Sequence, residues 1–257
     1  MAVEWIDEGA PVLEPGGIVI SSFPSAGLAA TVAAHYMVQS LALPRIGLVD
    51  SPDGSSIAIV QSGKVQPAVR IHGRKDLAVV LSELPVALSS GPEIARMILA
   101  GAQHRQARLV VGLEGVFPHP TSEPNPEPEE EHVWAALSRP DEALAASLRS
   151  ARARLLEDGV IGGVSGALLV EGIRSAIPVS VLLVSARQSE EGFPDNRAGA
   201  ALIETLDRLF PALRIDTGPL RTQAEMIERA LRAALKSRAH RAPESEAPPP
   251  TEPTIYG

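Results

Sequence analysis

Asp50, Glu83 and Glu114 each close a short aliphatic run, over residues 45–50, 77–82 and 108–113. If those runs are strands of one open α/β sheet, the three carboxylates stand near the edge where such sheets place their ligand crevice. Ser21, Ser22, Ser25 and Gly27 follow another such run and precede a helical pattern, a position where backbone N–H groups can hold an anion. Together these residues define one functional reading, a phosphorylase-fold enzyme or small-ligand-binding protein with a crevice at its strand ends. The competing reading is structural, because polar residues gather wherever chains surface at the ends of strands.

Few other groups offer chemistry. The chain has no cysteine, which removes disulfides, thiolate metal sites and cysteine nucleophiles. Its six histidines include no pair at the spacing that brings two imidazoles onto one ion, so no metal site is expected. There is no GxxxxGK[ST] phosphate loop and no GxSxG elbow. The run Gly159-Val160-Ile161-Gly162-Gly163 lacks the preceding strand of a dinucleotide site and reads as a turn, and no cofactor is implied. Arg152, Arg154 and Glu157 read as solvated charges, and Asp195-Asn196-Arg197 reads as the start of a helix.

The elements that must position these residues alternate between strand and helix, which predicts an α/β fold. A β-branched run at 17–21 predicts a buried strand, and apolar columns at i,i+4 spacing predict a helix over 26–41. Candidate strands follow at 45–50, 56–61, 66–71 and 77–82, the second and third spaced as a hairpin. Pro92 suits the first position of a helix running to about Gln103, and 108–113 reads as the next strand. Beyond it, 119–132 is rich in proline and glutamate and predicts an exposed loop that folding does not need. Helical segments over 141–157, a short helix to about Arg174, a strand at 179–185 and two closing helices complete the pattern. In the last helix Leu220, Ala224, Ile227, Leu231 and Leu235 form one apolar stripe, suited to its own domain or to another subunit.

With aromatics at only 3% and hydrophobic residues at 45%, the core must be packed by aliphatic side chains, which suits parallel strands under helices. A net charge of -8 with scattered basic residues excludes the positive footprint of a nucleic-acid binder. No apolar run is long enough to span a membrane, and residues 1–8 lack the order of a signal peptide, so a cytoplasmic protein is expected. A single domain over 1–236 is expected, followed by a Pro- and Glu-rich tether over 237–257.

The tether ends in Ile255-Tyr256-Gly257. A β-branched aliphatic and a tyrosine have no structural use at the end of a segment that otherwise has almost nothing apolar, which points to recognition by a partner. The tether spans at most about 60 Å when extended, ample reach for an anchor.

Several segments together resemble the proteasome assembly chaperone family, in its archaeal branch related to the second eukaryotic assembly chaperone. They are Phe23-Pro24-Ser25-Ala26-Gly27-Leu28 leading into Ala33-Ala34-His35-Tyr36, then Val49-Asp50-Ser51-Pro52, Pro67-Ala68-Val69-Arg70-Ile71 and Ser82-Glu83-Leu84-Pro85. Gly162-Gly163-Val164-Ser165-Gly166-Ala167-Leu168-Leu169 and the run from Pro194 to Ala201 continue the match over most of 17–235. Two departures are the entry to the first helix, Pro24-Ser25-Ala26-Gly27 in place of a Gly-rich turn, and the acidic loop at 119–132.

The resemblance implies an αβα sandwich similar to the nucleoside phosphorylase fold, assembly into a homo-oligomer, binding to proteasome α subunits and no catalysis. It also gives Ile255, Tyr256 and Gly257 roles. They match the hydrophobic-tyrosine-any-residue signal (HbYX motif) that docks activators and some assembly chaperones on the core particle. By that likeness the terminal carboxylate pairs with a lysine between neighbouring α subunits, Tyr256 packs on the pocket wall and Ile255 fills an apolar recess. Such an anchor is weak alone and strong in several copies, which again implies an oligomer.

Overall fold

The computed structural model describes residues 4–8, 13–50, 59–61, 63–117, 131–187 and 193–241. Its centre is four parallel strands, β2 (Ile18–Ser22), β7 (Leu77–Ser82), β8 (Leu109–Val116) and β11 (Val179–Ser185), lying side by side in the order β7-β2-β8-β11. Each is a β-branched and leucine-rich run buried on both faces, as parallel strands under helices require. Beyond β7 the sheet continues through β6 (Val69–Arg74), β3 (Arg45–Asp50) and β1 (Glu4–Asp7), every junction antiparallel. Beyond β11 come β9 (Val133–Leu137), antiparallel to it, and the two-residue β10 (Arg154–Leu155). The result is a nine-stranded mixed sheet. A hairpin of β4 (Ile59–Gln61) and β5 (Lys64–Gln66) stands apart.

Alternation along the strands divides the core in two. Ile18, Ile20, Val79, Leu113 and Leu182 face α1 (Ala29–Ser40), α3 (Glu142–Ser150), α5 (Asn196–Leu209) and the start of α6 (Gly218–Arg241). Val19, Val80 and Val110 face α2 (Gly91–His104) and α4 (Gly163–Gly172). This is an αβα sandwich. Small residues set the helix spacing within each layer: Gly199 of α5 lets Val32 and the Ala29 carbonyl of α1 approach, and Gly91 of α2 sits against Gly163 of α4. With so few aromatics, close backbone approach replaces large side chains as the means of filling space.

The predicted strands at 45–50, 77–82 and 179–185 fall where expected, and the hairpin is present over 59–66. The strand expected at 66–71 is two strands, β5 and β6, because Pro67 has no N–H to give to a continuous ladder. Strands β1 and β9 were not expected: β1 is four residues long, and β9, Val-Trp-Ala-Ala-Leu, has an alanine-rich sequence that also suits a helix. The helical segment expected over 141–157 stops at Ser150, where Arg152 takes a positive φ of 67° and turns the chain into β10. Helix α6 runs to Arg241, beyond the predicted end of the domain at Lys236.

Residues 119–130 of the acidic loop lie outside the described residues, but its end is docked. Glu131 pairs with Arg221 of α6 at 3.2 Å, while Arg221 also meets Glu204 of α5 at 2.7 Å. Of the apolar stripe, Leu220 and Ala224 are buried in this chain's own core. Among the described residues no helix is long and apolar enough to cross a membrane.

Candidate functional site

Strand β3 runs in the same direction as β7, since two antiparallel junctions separate them. Asp50, the last residue of β3, and Glu83, just past β7, are therefore at the carboxyl edge of the sheet together with the ends of β2, β8 and β11. Glu114 reaches less far, because β8 continues to Val116 and the residue is inside the strand.

The sheet separates two of the three carboxylates. Glu83 turns to the α1 face, where its Oε1 lies 2.8 Å from His35 Nε2 and also accepts from Arg70 Nη2. Arg70 is opposite Leu81 in the β6–β7 ladder, and its side chain is only 5% exposed. Glu83 is thus the counter-ion of a buried guanidinium, a role that ties up one of its oxygens. Glu114 turns to the other face and hydrogen-bonds with Ser165 in the first turn of α4. The structure does not bring Glu83 and Glu114 into one crevice.

Burial pushes the Glu114 carboxyl up to about 7, against the smaller lowering influence of the Ser165 hydrogen bond. A carboxyl raised from 4.5 to about 7 is protonated more in the folded than in the unfolded chain. Its contribution to stability is therefore complete below about pH 4.5 and is lost as pH rises through about 7. Glu114→Gln keeps the shape without the charge. It is expected to melt above the parent at about pH 8, by the equivalent of about 1–3 kcal/mol, and to match it near pH 4.5. Thermal denaturation at the two pH values checks this.

The serine-rich entry to α1 is a packing junction. Ser21 and Ser22 are buried, and Ser25 Oγ accepts the Gly115 N–H of β8 at 2.8 Å. Gly27, at φ +58°, sits against Ala186, Arg187 and Asp195 from the far side of β11, and its carbonyl accepts the Asp195 N–H at 2.8 Å. Asp195 in turn caps α5 by accepting from the Ala198 N–H at 3.1 Å, as its position in the sequence suggests.

Ile255, Tyr256 and Gly257 lie outside the described residues. Among the described residues no group of three or more His, Asp or Glu is placed to hold a metal ion. Sequence reasoning missed the cluster of His35, Arg70 and His72 beside Glu83. The signal was available: Arg70 interrupts the aliphatic strand Val69-Arg70-Ile71, and a charge at a core position demands a partner.

With this geometry in place, the relatives are informative. Uncharacterized protein MJ0106 of Methanocaldococcus jannaschii is 25% identical over 215 residues, covering 84% of each chain. The crystal structure of PbaA from Pyrococcus furiosus, described as an archaeal homolog of proteasome-assembly chaperone, superposes with a TM-score of 0.78 at 26% identity, covering 93% of this chain and 94% of that one. PbaB of the same organism, described as an archaeal proteasome activator, shares the fold with a TM-score of 0.72 at 21% identity, covering 91% and 98%. The PAC2 family model matches residues 19–235, from strand β2 into the last third of α6. The chain belongs to the PAC2 family.

Proposed function

We propose that this protein is a non-enzymatic proteasome assembly chaperone or activator-like adaptor that works in the cytoplasm, binds α subunits of the core particle, and is anchored by Ile255, Tyr256 and Gly257. The observation that carries this reading is the likeness to PbaA, which extends over nearly the whole of both chains and not over a shared motif alone. The separation of Glu83 and Glu114 by the sheet supports it from another side, since the crevice of the enzyme reading loses one of its three carboxylates. Exposed apolar side chains at the carboxyl edge, Leu28, Phe117 and Phe193, offer body surface that a partner subunit can cover.

A pull-down tests the proposal and divides its two forms. Tagged full-length protein is incubated with the mature core particle and, separately, with free α subunits. Capture of free α subunits supports the chaperone form, capture of the mature core alone supports the activator form, and capture of neither overturns both.

A tail of low intrinsic affinity is useful only in multiple copies. The protein is therefore expected to form a homo-oligomer of more than two subunits, and light scattering that finds a monomer at micromolar concentration would sink this part of the reading. Of the α6 stripe, Leu220 and Ala224 are taken up by this chain's own core, and Met226 on the same helix is 62% exposed.

A further inference from the structure

Helix α1 covers the centre of the sheet, and beside it, against β3 and β6, lies a cavity of about 520 Å3. That is the size of a small-molecule site. Its lining is polar and rich in cationic and donor groups: His35 and Gln39 from α1, Arg45 from β3, Arg70 and His72 from β6, with Glu8 as the carboxylate.

The charges in this lining are unequally matched. Arg45 is engaged by Glu8 at 2.6 and 3.0 Å and by the Gln66 side chain. Arg70 is not so well served. Its residue is 4% exposed, its Nη2 shares a single Glu83 oxygen with His35, and its Nε and Nη1 are buried with no hydrogen-bond partner among the described residues. Buried guanidinium donors without acceptors are destabilising, and proteins keep them where a ligand or water completes the set.

His72 points to the same missing charge. Its Nδ1 lies 3.1 Å from the Leu43 carbonyl, which fixes Nδ1 as the donor and leaves Nε2 for the cavity. Burial holds the imidazole below its usual range, and the Arg70, Arg45 and His35 charges add to the lowering, while the Leu43 bond opposes it. The charged and titratable groups around it are Glu8 after β1, His35 on α1, Arg45 on β3, Arg70 on β6 and Glu83 after β7. An added negative charge is the change that relieves all the cationic influences at once.

We propose that this cavity binds a small oxyanion, of the phosphate or short-chain carboxylate class, held by Arg70 with His35, His72 and Gln39. A bound anion favours the imidazolium of His72, so binding strengthens as pH falls through the histidine range. The site lies beside α1 and is proposed without reference to the tail anchor or to the proteasome.

The test uses the full-length protein with 13C-labelled histidine. Inorganic phosphate and succinate are titrated in separate arms at constant ionic strength, with sodium chloride as the control. The His72 ring signal, assigned by its loss in His72→Gln, is expected to move saturably in the millimolar range in at least one arm, and its midpoint of titration to rise. Response to phosphate alone, or to succinate alone, supports the site and identifies its ligand class.

Arg70→Met is expected to abolish the response. Because that change also strips Glu83 of its partner, Gln39→Glu is the safer variant: residue 39 is exposed, and a carboxylate there should weaken binding about tenfold or more without disturbing the fold. The proposal is overturned by no saturable shift in either arm, by an equal shift with chloride, or by undiminished binding in Gln39→Glu. A response that follows protein concentration instead of anion concentration also overturns it, since the group filling the cavity is then a carboxylate of another copy.

Discussion

Tyr256→Ala is expected to abolish stable capture of the proteasome core while leaving fold and oligomer intact. The reason lies in the size of the anchor. In the proposed docking three residues bury little surface, so nearly all the selectivity would rest on one aromatic ring and one carboxylate read together in a single pocket. Several tails on the proposed oligomer would raise one another's effective concentration to about millimolar, which multiplies a weak contact but cannot rescue one that has lost its ring.

The carboxylate has its own test. One residue added after Gly257 moves the charge by about 3.5 Å and should be nearly as damaging as loss of the ring. Ile255→Asp should fail through burial of an unpaired charge, whereas Pro248→Ala in the tether should be almost silent. Capture assays with the core particle, run beside light scattering, read all four variants. Full capture by both Tyr256→Ala and the extended protein would falsify the anchor.

Gly115→Val is expected to be the most damaging single change in the sheet. A Cβ at this position would stand 2.2 Å from the Ala26 carbonyl oxygen and 3.1 Å from its carbon, so backbone, not a flexible side chain, must give way. The same residue donates its N–H to Ser25, and its neighbours pair β8 with β11, so relief by moving β8 breaks other contacts. Overpacking of this kind costs about 3 kcal/mol or more, and for a chain of this length that corresponds to a fall in Tm of roughly 6–12 °C. A melting curve within a few degrees of the parent would show that the turn at Ala26 adapts freely.

Gly115 also shows where sequence reasoning stops. The β-branched runs that became β2, β7 and β11 were legible, because burial on both faces leaves a continuous aliphatic signature. Strands toward the two ends of the sheet were not: β1, at one edge, is short, and β9, next to last at the other, is held by its partner β11 more than by propensity. The same limit applies to the carboxylates. That Asp50, Glu83 and Glu114 end aliphatic runs is a one-dimensional fact, whereas the face each side chain takes depends on register with neighbouring strands and its distance from the edge on where its strand stops, β8 running two residues past Glu114. Arg70 carries part of the family likeness, yet the groups it meets come from α1 and from the residue after β7, distant positions that no local pattern joins.

The strand order has a consequence for how the chain is made. Residues 4–116 contain six of the nine strands of the large sheet, up to and including β8, but the neighbour that covers β8 on its far side is β11, which ends at Ser185. At about 5–20 residues per second, the growing chain waits roughly 3 to 14 s between finishing one strand and finishing the other. Throughout that interval the unpaired edge of a central, largely buried strand offers its hydrogen-bonding groups to whatever is nearby, the neighbouring nascent chain of a polysome included. A protein proposed to guide the assembly of others thus has a vulnerable moment of its own, set by the position of a single strand in its sequence.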